Sequence, residues 1–266
     1  MSAPVLLSQV ESRVAVLRLN RPDALNALTP ALLRALSEAL ERAEADPEVG
    51  AILLVAEGRA FCAGADLADA EAQPPRDATG RPDLGASLEQ GYNPLVQRMQ
   101  QLRKPIVAAV QGIAAGAGAS LALMADLTVA ARSASFLQAF VNIGLIPDAG
   151  GTWILPRMAG RQRAMGMAML GERLSAETAR DWGLIWAVVE DDMLQTEAMA
   201  LAARLASGPT VALGHIKAAL TAAADNSLET QLADEVIRQR ACGHTQDFAE
   251  GVAAFLQKRP AVFKGR

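Results

Sequence analysis

The sequence predicts an α/β fold, in which buried strands alternate with helices around a substantial core. Two runs, Ala51–Ala56 and Ile106–Val110, contain only apolar residues, which is typical of strands buried on both faces of a sheet. Stretches with apolar residues at helical spacing separate these runs, and glycine-rich turns follow them. The 266 residues are enough for one large domain or two modest ones.

The first half of the chain supplies most of the predicted elements. Residues Val14–Leu19 alternate apolar and polar side chains like a half-buried strand. Thr29 is followed by a proline, the favoured order of N-cap and first helical residue, so a helix is predicted over residues 30–45. A second helix is predicted over residues 88–102, and a further buried strand over residues 127–131.

The last part of the chain differs in character from the first. After about residue 191 the sequence is almost wholly helical, with predicted helices at 192–206, 209–224 and 228–257. We therefore divide the chain into a core, residues 1–191, and a C-terminal helical region, residues 192–266, which forms an added layer or a subunit interface. Residues 69–86 are rich in proline and glycine without periodicity and are interpreted as a flap.

Composition excludes several classes of function. A net charge of −4 at pH 7 argues against a nucleic-acid or anionic-membrane surface. Cys62 and Cys242 stand far apart without metal-ligand spacing, so no metal site is predicted and a reducing, cytoplasmic location is expected. The apolar stretch 106–131 could span a bilayer by length, but its glycines and Asp126 favour a soluble strand and buried helix. Asp126 is interpreted as a structural hydrogen-bond acceptor.

Two turns made of small residues each follow a predicted strand. They lie at residues 61–66 (FCAGAD) and 115–119 (AGAGA). Small side chains leave backbone N–H groups uncovered, and two such donors that converge form an oxyanion hole for a carbonyl oxygen. Glycine also serves simply to permit tight turns and close packing, so the residues alone leave both interpretations open.

Asp148 lies between a proline and two glycines, in apolar surroundings. A carboxyl group in an apolar environment has a raised pKa, which suits a general base near neutral pH. Most aspartates in such sequences are turn formers, so this alternative also remains open. His215 and His244 have no ligand partners at helical spacing and are interpreted as ordinary surface or interface residues.

Taken together, these segments resemble the crotonase superfamily, also called the enoyl-CoA hydratase/isomerase family. The resemblance covers nearly the whole chain and is carried by four segments in the family's order and spacing: 20–28, 58–67, 104–123 and 144–157. It implies a spiral of ββα units with a C-terminal helical trimerisation region. It also implies an acyl-coenzyme A thioester as substrate, no separate cofactor, and a homotrimer or a dimer of trimers.

The same resemblance assigns roles to individual residues. It implies that the N–H groups of Ala65 and Ala117 bind the thioester oxygen. Four residues are expected to line the coenzyme A tail: Ala24, Ala63, Asp66 and Leu67. By the same resemblance, Phe263 and Lys264 are expected to reach a neighbouring subunit's coenzyme, whereas Tyr92 and Asn93 are candidates for lining the acyl pocket or for loop packing.

Two departures from the family pattern concern the reaction. Hydratases of the family use two glutamates to position and protonate water, and the matching positions here hold Ser120 and Phe140. Asp148 stands where some isomerases of the family carry a catalytic aspartate. The resemblance therefore favours an isomerase with Asp148 as both acid and base. An enoyl-CoA hydratase with relocated catalytic groups and a non-catalytic acyl-CoA-binding protein are the alternatives.

Overall fold

The computed structural model describes residues 3–69 and 73–266, and its core is a six-stranded sheet. The strands lie in the order β1-β2-β3-β4-β6-β9, with β1 antiparallel to β2 and the other neighbours parallel. Their bounds are β1 Leu6–Glu11, β2 Val14–Leu19, β3 Ala51–Ala56, β4 Ile106–Val110, β6 Leu127–Ala131 and β9 Ala187–Val189. The predicted strands β2, β3, β4 and β6 are confirmed, but β2 is almost wholly buried instead of half-buried, because it lies between β1 and β3 and only Arg18 is partly exposed. Every residue of β3 and β4 is buried, as their purely apolar sequences indicate.

A second, three-stranded sheet was not predicted from the sequence. Strand β5, Ile113–Ala115, pairs in parallel with β7, Ser135–Leu137, which pairs antiparallel with β8, Arg173–Ser175. Each strand has only three residues, too few for an alternating pattern to emerge. The expected turn from β4 into a helix therefore contains a short strand, β5, immediately before the second glycine-rich turn.

The helices surround the two sheets. Helix α1, Pro30–Ala45, begins and ends as predicted, and the Thr29 side chain accepts a hydrogen bond from the Leu32 N–H at its N-terminus. The other helices up to the C-terminal region are α2 Leu84–Ser87, α3 Asn93–Gln101, α4 Ala117–Leu123, α5 Gly151–Ala159, α6 Arg161–Leu170 and α7 Ala176–Asp181.

Two predicted helices are interrupted. The segment 88–102 opens with a π-helical turn, Leu88–Tyr92, before α3 begins at Asn93. The segment 228–257 divides into α10, Leu228–Gly243, and α11, Gln246–Gln257. The break is explained by Thr245, whose side chain accepts a hydrogen bond from Phe248 and so starts a new helix.

The C-terminal region begins with a helix that belongs to the core packing. Helix α8, Leu194–Ala206, buries one residue per turn, starting with Leu194 and ending with Ala206, against β3 and β4. Gly50 permits this contact, because a Cβ there would lie 2.8 Å from the Ala206 Cα. Helix α9, Thr210–Ala223, is mostly half-buried, whereas α10 and α11 are mostly exposed. The division of the chain at residue 191 stays a prediction.

The apolar stretch 106–131 forms β4, β5, α4 and β6 in turn. Asp126 lies at its turn before β6, where its carboxylate accepts hydrogen bonds from the Ile106 N–H at 2.7 Å and from Lys217 at 3.0 Å. This confirms its structural role. Within residues 3–69 and 73–266, the structure contains no helix with the length and apolarity needed to cross a membrane.

Of the predicted flap, residues 70–72 lie outside the described residues. The described part includes an isolated bridge between Arg76 and Pro82. It continues into α2, whose N-terminus is capped by the side chain of Asp83.

Candidate active site

The two turns of small residues lie against each other. A Cβ on Gly64, in the first turn, would stand 2.9 Å from the carbonyl oxygen of Ala115 and 3.7 Å from the amide nitrogen of Ala117, in the second turn. Gly64 has φ +95° and Gly116 has φ +52°, conformations that L side chains rarely adopt. Glycine is therefore needed here for both the turn and the close approach of the two backbones.

Each turn contains a candidate oxyanion donor whose N–H group has no acceptor among the described residues, at Ala65 in the first turn and at Ala117 in the second. The Leu28 N–H donates to the Gly64 carbonyl at 2.7 Å and the Asp66 N–H donates to the Leu28 carbonyl at 3.0 Å. These two bonds use the Gly64 carbonyl and the Asp66 N–H, on either side of Ala65, and leave the Ala65 N–H without an acceptor. Ala117 is the first residue of α4, where helical geometry provides no acceptor. Within the described part of the chain, neither amide donates a hydrogen bond.

A buried asparagine, which we did not single out from the sequence, holds the first turn in place. Asn26 is fully buried and donates to the carbonyl oxygens of Glu57 at 2.8 Å and Ala60 at 2.9 Å. Its own side-chain oxygen accepts from the Arg21 N–H at 2.8 Å. Its φ of +54° is uncommon for a residue with a side chain, although asparagine tolerates it better than most.

The four residues expected to line a coenzyme A tail form one rim beside the first turn. Ala24 is half-buried in a 3₁₀ turn, and the Ala63 N–H donates to the neighbouring Leu25 carbonyl at 3.0 Å. The side chain of Leu67 is 69% exposed. The structure thus brings these residues together on an accessible edge.

Asp66, the fourth of these residues, is fixed by an ion pair. Its carboxylate lies 2.9 Å from the Arg21 guanidinium and accepts from the N–H groups of Ala68 and Asp69. Desolvation acts to raise the pKa of Asp66, but the hydrogen bonds from Arg21 and the two amides outweigh it and hold the pKa below its usual value. The side chain is therefore an anion that shapes the rim.

Asp148 lies in the turn that precedes α5, and its carbonyl accepts from the Gly151 N–H at 2.8 Å. The turn is unusual, because Ala149 has φ +48° and Gly150 has φ +80°. The carboxyl group is half-buried. Its oxygen Oδ1 is shielded from solvent and has no hydrogen-bond partner among the described residues. Burial raises the pKa of Asp148 to about 6, and a hydrogen bond from its own backbone N–H opposes the change.

Helix contacts connect the Asp148 turn to the two glycine-rich turns. A Cβ on Gly151 would lie 2.9 Å from the hydroxyl of Ser120, one helical turn after Ala117 in α4. Besides burial, the ionised forms of Asp148 and, at high pH, of Cys62 both raise the pKa of the Tyr92 phenol. Since Cys62 belongs to the first glycine-rich turn, the carboxyl group and that turn both lie close to Tyr92.

Ser120 and Phe140, which the family resemblance matches to the two hydratase glutamates, do not titrate near neutral pH. Ser120 is fully buried, and its hydroxyl donates to the Gly116 carbonyl at 3.4 Å. The ring of Phe140 lies 3.6 Å from the position that a Cβ on Gly116 would take. An aromatic ring thus covers the second turn where a carboxylate would stand.

Other candidates lie elsewhere. Phe263 lies beside Gly251 of α11, and the Lys264 N–H donates to Asp247 at 2.7 Å. Neither residue contacts the two turns within the part of the chain that the structure describes. Asn93 is exposed at the start of α3. Of the histidines, His215 lines an apolar groove between α9, α10 and α11, and His244 is exposed at the end of α10.

Comparisons with known proteins agree with this geometry. The sequence model described as "Enoyl-CoA hydratase/isomerase" matches residues 9–266. The 1,2-epoxyphenylacetyl-CoA isomerase of Escherichia coli strain K12 is 51% identical over 261 residues, covering 98% of each chain. The 2,3-dehydroadipyl-CoA hydratase of the same organism is 38% identical over 261 residues, covering 98% of this chain and 99% of that protein.

Solved structures show the same fold. The crystal structure of an enoyl-CoA hydratase from Polaromonas sp. JS666 matches with a TM-score of 0.90 at 36% sequence identity. The match covers 97% of this chain and 99% of that chain. The expected crotonase fold is therefore confirmed.

Proposed function

Because this chain belongs to the enoyl-CoA hydratase/isomerase family, we propose that it is an acyl-CoA isomerase, an enzyme that moves a proton between two carbons of an acyl thioester. The observation that carries the proposal is the distribution of carboxyl groups. Asp148 has a pKa raised to about 6, whereas Ser120 and Phe140 occupy the positions of the hydratase glutamates. One carboxyl group suffices for a proton shift, but the family's hydration uses two.

In the proposed mechanism, the thioester oxygen accepts hydrogen bonds from the N–H groups of Ala65 and Ala117. Asp148, as carboxylate, removes a proton from the carbon next to the carbonyl, and the electron pair moves onto the oxygen. The two amides stabilise this enolate. The Asp148 carboxyl then returns the same proton two carbons further along. The product has its double bond moved, with no atom gained or lost.

The proposed substrate class follows from the Escherichia coli relative. We assign to this chain the substrate 2-(1,2-epoxy-1,2-dihydrophenyl)acetyl-CoA and its conversion to the oxepin isomer, a step of phenylacetate catabolism. Opening of an arene epoxide to a seven-membered ring rearranges bonds within the substrate and needs no atom from the protein. The proton shift by Asp148 then traps the ring-expanded isomer. The same proton shift applies to unsaturated acyl-CoA thioesters whose acyl chain has no oxygen besides the thioester carbonyl.

The remaining parts of the proposal concern binding and assembly. The rim formed by Ala24, Ala63, Asp66 and Leu67 is assigned to the coenzyme A tail, and no cofactor besides the substrate's coenzyme A is invoked. The proposed assembly is a homotrimer or a dimer of trimers, located in the cytoplasm. Exposed apolar residues of α9, α10 and α11 surround a groove of about 660 Å³ that supports such an interface.

An enoyl-CoA hydratase is the second candidate, favoured by the 38% identity to the 2,3-dehydroadipyl-CoA hydratase. The ring of Phe140 argues against it, since an apolar group there excludes the attacking water. A non-catalytic acyl-CoA-binding protein is the third. It requires Asp148 to be only a turn former, although a half-buried carboxyl group with an unpartnered oxygen is costly for that purpose alone.

The test compares three reactions of the wild-type protein and of Asp148→Asn. These are epoxide-to-oxepin conversion, the shift of a 3-enoyl-CoA to its 2-enoyl isomer, and hydration of crotonyl-CoA. The expected result is both isomerisations without efficient hydration, and loss of both by at least about 10³-fold in Asp148→Asn with thioester affinity retained. Efficient hydration without isomerisation contradicts the proposal, as does equal turnover by the variant.

A further inference from the structure

Tyr92 is the only tyrosine of the chain, and its environment is unusual for a phenol. The residue is 9% exposed and belongs to the hydrophobic core. Its hydroxyl nevertheless makes no hydrogen bond to any residue that the structure describes. The hydroxyl oxygen is also not completely shielded from solvent. Buried tyrosine hydroxyls usually have a partner. This one remains available to donate to a bound ligand.

The local backbone packs the helix that follows Tyr92 against the turn that carries Asp148. Tyr92 ends the π-helical turn Leu88–Tyr92, and such turns often occur at functional sites. Val96 follows one turn later on the same face of α3, and its Cγ1 lies 3.2 Å from the position that a Cβ on Gly150 would take. The Tyr92 face of the helix therefore covers the turn that carries Asp148.

Electrostatics agree with this placement. Burial raises the pKa of Tyr92 above its usual value, and the charges of Asp148 and Cys62 raise it further. The phenol is therefore a neutral hydrogen-bond donor throughout the physiological pH range. A neutral donor beside the proton carrier is placed to contact the reacting part of an acyl group rather than its coenzyme A tail.

We propose that Tyr92 is a specificity-determining residue whose hydroxyl donates a hydrogen bond to an ether or epoxide oxygen of the acyl group. The inference rests on the proposed isomerase function and adds the recognition of an oxygenated substrate to it. Hydrocarbon acyl groups offer no acceptor at this point, so the hydroxyl contributes nothing to their turnover.

The experiment uses Tyr92→Phe, which removes one oxygen atom and keeps the ring that packs in the core. Turnover is measured with the arene epoxide thioester and with a 3-enoyl-CoA that has no oxygen in its acyl chain. The expected result is a loss of about tenfold or more in kcat/KM for the epoxide, with the 3-enoyl-CoA unchanged within about twofold. A thermal-unfolding measurement of the variant accompanies the assays.

Each other outcome overturns the inference in a different way. Equal losses on both substrates make Tyr92 a structural or positioning residue, and unchanged turnover of both removes it from recognition altogether. Failure of the wild-type protein to convert the epoxide, while it still isomerises the 3-enoyl-CoA, overturns the assignment of an oxygenated substrate. Failure of the wild type on both substrates overturns the proposed function itself.

Discussion

Asp148 must be ionised to act as a base, and burial opposes that ionisation. Since burial raises its pKa to about 6, the carboxylate form is the minor species below this pH and the major one above it. We expect kcat/KM for a 3-enoyl-CoA to rise about tenfold per pH unit below pH 6 and to level off above it. A pH profile between 5 and 8 measures this. A profile that is flat from pH 5 upwards contradicts the role of Asp148.

The same carboxyl group is expected to lower stability. In the unfolded chain Asp148 ionises near 3.8, so between pH 4 and 6 the unfolded state loses its proton first and unfolding becomes easier as pH rises. Above pH 6 this decrease in the free energy of unfolding no longer changes with pH. Asp148→Asn removes it, and we expect its free energy of unfolding to exceed that of the wild type by about 1–3 kcal/mol at pH 8, but not at pH 4. Denaturant titrations at both pH values test this. The expectation is contradicted if the variant and the wild type differ in free energy of unfolding by the same amount at pH 4 and at pH 8.

At the scale of elements, the N-terminus of α4 carries one of the two proposed oxyanion donors. Ala117 is the first helical residue, a position where proline fits the backbone and replaces the N–H hydrogen with a ring carbon. We expect Ala117→Pro to lower kcat by about 10²–10³-fold, because one donor to the enolate oxygen is lost. The measurement is steady-state isomerisation, with a melting curve to verify that the variant is folded.

A matched control is available at another helix. Gln246 is the exposed first residue of α11, and Thr245 before it has the extended conformation that precedes proline readily. Gln246→Pro is expected to leave turnover unchanged. If Ala117→Pro retains full activity while folded, the amide of Ala117 is not an oxyanion donor.

The sequence predicted those elements whose pattern is long enough to be periodic. Helix α1 has the predicted bounds because its apolar residues recur at helical spacing over 16 residues, and strands β3 and β4 because each is an unbroken apolar run. The small sheet of β5, β7 and β8 was missed, since its pairings join three-residue segments far apart in sequence. The π-turn before α3 was missed too, because a single π-helical turn has no sequence period of its own that differs from the helix it joins.

The candidate site was predictable in part for a similar reason. The turns at residues 61–66 and 115–119 and Asp148 carried local signals, namely small residues after strands and a carboxyl group in apolar surroundings. The support by Asn26 gave no such signal, because its partners Glu57 and Ala60 lie more than 30 positions away. A sequence pattern reports a residue's type, whereas its hydrogen bonds depend on the folded backbone.

At the scale of the whole molecule, the C-terminal helices leave a large apolar surface uncovered. Phe255 of α11 is 83% exposed and lines the groove of about 660 Å³. A surface of this kind indicates a protein interface. We expect the wild type to be trimeric or hexameric and Phe255→Glu to dissociate into smaller species, as measured by light scattering. Val10→Glu, an exposed apolar position on the edge strand β1, is the control and should keep the assembly.

In the proposed site, Ser120 and Phe140 stand where hydratases of the family have glutamates, so Asp148 is the proposed proton carrier, and its oxygen Oδ1 is shielded from solvent. We expect a hydrogen that Asp148 takes from the substrate to return to the substrate faster than it exchanges with water. With a thioester dideuterated at carbon 2, we expect mass spectrometry to find most of the transferred deuterium in the product, even in ordinary water. Complete washout into the solvent would mean that water reaches the carrier between the two halves of the reaction, and that the pocket is wetter than its residues indicate.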